Sequence, residues 1–331
     1  MVTDYVVFVH GVNTRENAYD PNYADRLFAN IQAQITSRAS SLQLKKVPLY
    51  WADVTKDEEA QLKQTYERSP TWPQFWFRNV RETLLLQFIG DAALYISRYV
   101  GAKIVEKLKD QLLGALGAHQ PDDRLHLVTH SLGTIILFDV LFSSRWDPPE
   151  APGHDSVAQI RNVVYGIQPN ALQGIRSASI HTMGSPLGLY SLMDVDHSEQ
   201  NRPFATHDIT PRLQQFLGSL AQARGGRPLP WWNFAHPGDP LAYPLVPLLY
   251  EVLAIEQRYL AIHDKISHPM GLLDRVLGLI SQSPIALLDT FTAHNSYWES
   301  QEVAVVIART IRESAQPPSP SGRAFPFSSS K

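Results

Sequence analysis

Thr129-His130-Ser131-Leu132-Gly133 is the stretch of this chain with the clearest chemical content. It lies between a buried strand-like run, residues 125–129, and a very apolar helical run, residues 134–142. A serine on so tight a strand-to-helix turn has its hydroxyl lifted clear of the sheet, where a base can reach it. It also stands at a helix N-terminus, whose free N–H groups favour developing negative charge. The pattern is G-x-S-x-G with Thr129 in place of the first glycine, and it predicts Ser131 as a nucleophile. The plainer alternative is a serine that only caps its helix.

A serine hydroxyl attacks a carbonyl only with help. Two backbone N–H groups must stabilise the oxyanion, and the loss of one such donor costs on the order of 3 kcal/mol. Leu132, next after the serine, is one predicted donor. His10-Gly11-Val12-Asn13 follows an early strand and offers the other, from the Val12 N–H or from Gly11 itself, with Gly11 letting the backbone approach closely. A histidine must take the serine proton, and a carboxylate must orient that histidine. Among 12 histidines, His294 lies just before the last predicted helix, in Thr292-Ala293-His294-Asn295-Ser296-Tyr297-Trp298. His236 and His268 are the other candidate bases. Asp239, within His236-Pro237-Gly238-Asp239-Pro240, is the predicted acid, because the prolines stiffen the turn that carries it. Asp194 and Asp196 are the competing acids.

The elements that must hold these groups alternate in type. Val6-Val7-Phe8-Val9, residues 47–51, residues 125–129, residues 175–183 and Trp231-Trp232-Asn233-Phe234 read as strands. Pro48 suggests that the second is an edge or a strand start. Helical spacing marks residues 23–37, much of 57–118, residues 134–142, and a last helix from Asn295 or Ser296 to about Arg312. Residues 145–174 read as a loop-rich excursion. Strands alternating with helices predict an α/β fold with a mostly parallel sheet covered on both faces, whose ligands sit at the carboxyl ends of strands. Residues 1–314 are expected to form one domain and residues 315–331, rich in Ser and Pro, a disordered tail. The helical stretch 57–118, with Trp72, Trp76 and Phe77, reads either as a cap over the site or as ordinary crossover helices.

Bulk properties narrow the classes of function. The 331 residues are 44% hydrophobic and 18% charged, as in an ordinary globular protein with a sizeable core. The net charge of −3 makes no case for a nucleic-acid partner. With no cysteine, disulfides, thiolate metal sites and a cysteine nucleophile are excluded. The N-terminus runs straight into an apolar strand without a basic leader, so no signal peptide and a cytoplasmic location are expected. The most apolar run, residues 84–100, is short and broken by Gln87, Asp91 and Arg98, which argues against a membrane span.

His10-Gly11, the turn at Ser131, Asp239 and His294 together resemble the α/β-hydrolases of the lipase and esterase type, over roughly residues 5–312. Gly184-Ser185-Pro186-Leu187 after a strand is similar to lipase-like members. The segment from Asn233 onward resembles the DDHD-type intracellular phospholipases, which carry His-Pro-x-Asp-Pro-Val-Ala-Tyr-Arg there; this chain has Pro244 in place of the arginine. The resemblance implies the α/β-hydrolase fold, with the triad Ser131, Asp239 and His294 and an oxyanion hole from Gly11, Val12 and Leu132. It implies hydrolysis of a small-molecule or lipid carboxylic ester through an acyl-enzyme, with no metal or organic cofactor. Residues 84–100 and the tryptophans suit an acyl pocket, a peripheral membrane contact or plain core. An amidase or thioesterase using the same groups, or an interaction protein on a hydrolase scaffold, are the alternatives. The sequence carries no signal of oligomeric state.

Overall fold

The computed structural model describes residues 2–12, 21–36, 42–75, 89–190, 207–267 and 293–316. Its centre is a sheet of six parallel strands: β1 (Thr3–Val9), β2 (Gln43–Leu49), β3 (Arg124–His130), β4 (Arg176–Met183), β5 (Leu229–Ala235) and β6 (Leu260–Ile266). The spatial order is β2-β1-β3-β4-β5-β6. The chain therefore runs outward from β1 in one direction and from β3 in the other. The β1/β3 boundary is a topological switch point, where an open parallel sheet leaves a crevice beyond its carboxyl edge. Val9 pairs with both Leu49 and Thr129, and Met183 with both His130 and Phe234, so the strands end in register.

Among the described residues, the α-helices of seven residues or more are α1 (Asp25–Thr36), α2 (Lys56–Glu67), α3 (Gly90–Ile96), α4 (Arg98–Leu116), α5 (Leu132–Phe142), α6 (His154–Asn162), α7 (Thr210–Ala223) and α8 (Gln301–Ala315). Strand side chains alternate between faces, and β1 from Val6 to Val9 is apolar on both, as suits a strand covered on both sides. On β1, Tyr5, Val7 and Val9 join the core under α4, α5, α6 and α7. Val6 and Phe8 point the other way, into the core under α1 and α8. These two helices are amphipathic, burying Leu27, Ile31 and Ile35 from α1 and Val303, Ile307 and Ile311 from α8. Helix α5 is apolar all round because sheet and helices enclose it. Its buried Asp139 accepts hydrogen bonds from Tyr95 (2.6 Å), Arg145 (2.7 Å) and Trp146 (3.0 Å).

Four features depart from the sequence reading. The excursion 145–174 contains α6, whose Val157 and Ile160 are buried; nine residues between Pro and Gly clusters are too few to show a helical period. Helix α7 and strand β6 also went unpredicted. Because β6 is an edge strand buried at Leu260 and Ile262 but only partly covered beyond, it lacks a continuous apolar run such as Val6–Val9 of β1. The last helix begins at Gln301, capped by Ser300 accepting from the Val303 N–H, and a 3₁₀ turn at Ser296–Glu299 precedes it. As its proline suggested, β2 is an edge strand.

Stretch 57–118 divides into unlike parts. Helix α4 is a crossover helix, burying Ile104, Val105, Leu108, Leu112 and Leu116 against the sheet. Helix α2 buries only Glu59 and leaves Leu62 and Tyr66 exposed. The Tyr66 ring stacks on Trp72 at 5.5 Å, and Trp72 packs on the exposed Phe75 at 5.8 Å. Trp76, Phe77 and residues 84–88 lie outside the described residues, as do Asp194, Asp196, His268 and the tail 317–331.

Candidate active site

Ser131 stands one residue beyond β3, at the switch point, with φ 53° and ψ −132°. A non-glycine residue held at such a dihedral stores of order 1–3 kcal/mol, which the surrounding structure must hold in place. Two contacts do so. The Ser131 N–H donates to the Met183 carbonyl at the end of β4 (3.0 Å), and α5 begins at once, the Thr134 N–H donating to the Ser131 carbonyl (3.0 Å). Gly133 is required by packing: a Cβ there would sit 2.3 Å from the His10 carbonyl oxygen and 2.7 Å from that of Val9. Thr129 occupies the other flank without conflict, because its hydroxyl shares a hydrogen bond with Thr134 (2.8 Å).

Gly11 lies directly against this serine. A Cβ on Gly11 would fall 2.4 Å from the Ser131 Cβ and 3.0 Å from its Oγ. The loop is held by His10, which the sequence reading named beside Gly11 without giving it a role of its own. Its Nδ1–H donates to the Gly11 carbonyl (2.6 Å), and its Nε2 accepts the Trp51 N–H (3.2 Å). A carbonyl only accepts, so this tautomer is fixed. The His10 ring stacks on Trp51 at 5.1 Å, and burial pushes its pKa down to about 3, which keeps it neutral. In a trans peptide the C=O and N–H point to opposite sides. Pinning the Gly11 carbonyl on His10 thus aims the Val12 N–H away from His10.

His294 and Asp239 are brought together although 55 residues separate them. The His294 Nδ1 lies 2.9 Å from both carboxylate oxygens of Asp239. The carboxylate is the acceptor, so Nδ1 carries the proton and Nε2 presents its lone pair. That Nε2 and the Ser131 Oγ are both buried, and neither has a hydrogen-bond partner among the described residues. Burial alone would raise the pKa of Asp239. The His294 hydrogen bond and charge outweigh it, helped by the Leu241 N–H (2.9 Å) and the Tyr297 hydroxyl (2.8 Å), and hold the carboxyl below its ordinary value.

Asp239 sits in a tight turn, its N–H donating to the His236 carbonyl (3.0 Å). His236 shapes the same turn, its Nδ1 accepting the Gly238 N–H (3.0 Å). The far end of the loop is clamped from the sheet. Asn233 donates to the Tyr243 carbonyl (2.9 Å) and to Asp264 (2.7 Å), and Asp264 accepts the N–H groups of Leu245 (2.8 Å) and Val246 (3.0 Å). Asp264 lies on β6, so its part in this loop could not be read without that strand.

Two further groups complete the enclosure. Tyr297 is fully buried in the turn before α8; its hydroxyl donates to Asp239 and accepts the His236 N–H (2.7 Å). Burial and the Asp239 charge raise its pKa, so the phenol stays protonated. Gly184, just past β4, has φ 54°, and a Cβ there would lie 2.6 Å from Asp239 Oδ2 and 3.1 Å from His294 Nδ1. The Gly-Ser-Pro-Leu string had marked this glycine, but not its contact with the carboxylate. Among the described residues, no group of three or more His, Asp or Glu is arranged to hold a metal ion.

No known family model matches the chain. A protein of Saccharomyces cerevisiae named a probable mitochondrial phospholipase is 24% identical over 284 residues, which is 83% of this chain. The chain spans only 35% of that relative's length.

Proposed function

We propose that this chain is a serine hydrolase of carboxylic esters, with lipid esters of the phospholipid class as substrates, on an α/β-hydrolase fold. Ser131 attacks the ester carbonyl while His294 Nε2 takes its proton. Asp239, ionised, orients the ring and stabilises the imidazolium. The N–H groups of Leu132 and Val12, the latter beside Gly11, receive the oxyanion. His294 then returns its proton to the departing alcohol, leaving an acyl group on Ser131, and water activated by the same histidine releases the acid.

One observation carries the reading: a buried serine hydroxyl at a strained turn and a buried histidine whose Nδ1 is committed to a carboxylate, with neither the hydroxyl nor the histidine Nε2 partnered among the described residues. A serine serving only as a helix cap would use its hydroxyl on its own helix, and Ser131 makes no side-chain cap. Support for a lipid substrate comes from the phospholipase-like relative and from exposed Tyr66 and Phe75 packed on half-buried Trp72, a cluster that suits contact with a lipid surface. In this reading that contact is peripheral and made from the cytoplasm; among the described residues no helix is long and apolar enough to cross a membrane.

Labelling with a fluorophosphonate probe tests the chemistry. Wild type takes the label and S131A does not, and S131A loses ester hydrolysis; labelling that persists in S131A sinks the proposal. Nitrophenyl esters of increasing chain length test the substrate class. Activity confined to the shortest acyl chains would remove the lipid part.

A further inference from the structure

His130 joins the two halves of the site. Its backbone carries Ser131, one residue on, at the end of β3. Its side chain reaches across 164 residues of sequence to the other half, where Nε2 lies 2.6 Å from the His294 carbonyl oxygen. The ring is buried, packed 4.5 Å from the His294 ring and 5.5 Å from that of Trp298. A carbonyl only accepts, so His130 must be the Nε2–H tautomer.

We propose that His130 is a positioning residue: its neutral ring donates Nε2–H to the His294 carbonyl and thereby sets where the His294 ring stands relative to Ser131. The inference rests on the serine-hydrolase reading of the same site. Asp239, whose carboxylate also accepts from Tyr297, fixes His294 from the β5 side of the sheet. His130 fixes it from the nucleophile's own strand, so base and nucleophile move as one body. Neutrality matters as well. When His294 takes the serine proton, a charged ring 4.5 Å away would oppose it. Burial, with the nearby His294, pushes His130 down to about 3 and removes that opposition.

A histidine that only filled space would act through its shape, whereas a positioning histidine acts through its donor. The test compares H130F, H130Q and H130N on a nitrophenyl ester, reading kcat, KM and the thermal midpoint. Glutamine carries its amide nitrogen about as far out as Nε2, whereas asparagine reaches only as far as Nδ1. The expected result is kcat about a hundredfold lower in H130F with KM nearly unchanged, since a displacement near 1 Å costs on that order. H130Q recovers most of kcat, and H130N does not. Full kcat in H130F, or H130Q as impaired as H130F at an equal thermal midpoint, overturns the inference. If H130F does not fold, the H130Q and H130N pair decides: equal kcat in the two refutes a role for the donor. S131A separates this inference from its parent. An active S131A defeats the reading of the whole site, whereas an inactive S131A beside a fully active H130F defeats only the role of His130.

Discussion

Gly184→Ala probes the site at a point where no chemistry takes place. The added methyl would lie 2.6 Å from Asp239 Oδ2, 2.9 Å from Tyr297 Cε2 and 3.1 Å from His294 Nδ1. Ordinary contact begins near 3.4 Å, so the carboxylate oxygen must retreat by about 0.8 Å. It has little room to do so, because the same oxygen accepts from His294 at 2.9 Å and from Tyr297 at 2.8 Å. Moving it loosens both bonds and turns the imidazole. Displacements of this size in catalytic groups cost about a hundredfold in rate. The backbone adds a second penalty, since φ 54° disfavours any Cβ by about 1–2 kcal/mol. Purified G184A should therefore show kcat for nitrophenyl ester hydrolysis reduced about a hundredfold, KM little changed, and a thermal midpoint lower by a few degrees. Wild-type kcat in a folded G184A would refute the reasoning, because turnover would then not depend on the Asp239–His294 geometry.

Three other expectations follow from the same contacts. D239N leaves a side chain of the same shape but removes the charge that holds Nδ1–H, so kcat should fall about a thousandfold or more; a loss under tenfold would exclude Asp239 as the acid. Y297F leaves the His236 N–H and Asp239 each short of one partner and should lower kcat roughly tenfold and stability by about 1 kcal/mol; steady-state kinetics and urea unfolding read both, and unchanged values in both would count against the contact. The buried rings of His10 and His130 make folding sensitive to acid. Their pKa values are pushed to about 3 in the fold from an ordinary 6.5, so the unfolded chain binds protons that the native state refuses. Their contribution is complete above pH 6.5 and is lost as the pH falls toward about 3, at up to about 1.4 kcal/mol per pH unit for each ring. Urea midpoints should thus drop between about pH 7 and pH 5, and a flat profile would contradict the burial of these rings.

The parts of the site that were readable beforehand are those whose signal is local. Ser131 announced itself because a tight strand-to-helix turn needs small neighbours and an apolar helix after it, and both are adjacent in the chain. Gly11 was readable as a glycine ending a buried strand, and Asp239 as a carboxylate in a proline-stiffened turn. Central strand β1 shows as an unbroken apolar run from Val6 to Val9 because both of its faces are covered. Edge strand β6 and the short helix α6 lacked such a signal, one for want of a second covered face and the other for want of length.

Tertiary structure decided what lies against what. Nothing local to His130 says that its ring will meet the carbonyl of His294, nor does Tyr297 by itself point to Asp239. The motifs that contain His10 and Gly184 do not say that Trp51 will stack on the first or that the Asp239 carboxylate will pack against the second. These contacts depend on the order β2-β1-β3-β4-β5-β6, which sets the ends of β1, β3, β4 and β5 side by side. Strand order comes from the packing of whole faces, a property of the sum of the chain. Side-chain periodicity reports only which face of an element is buried, and so the sequence alone named the candidate chemical groups while the fold determined how they are held.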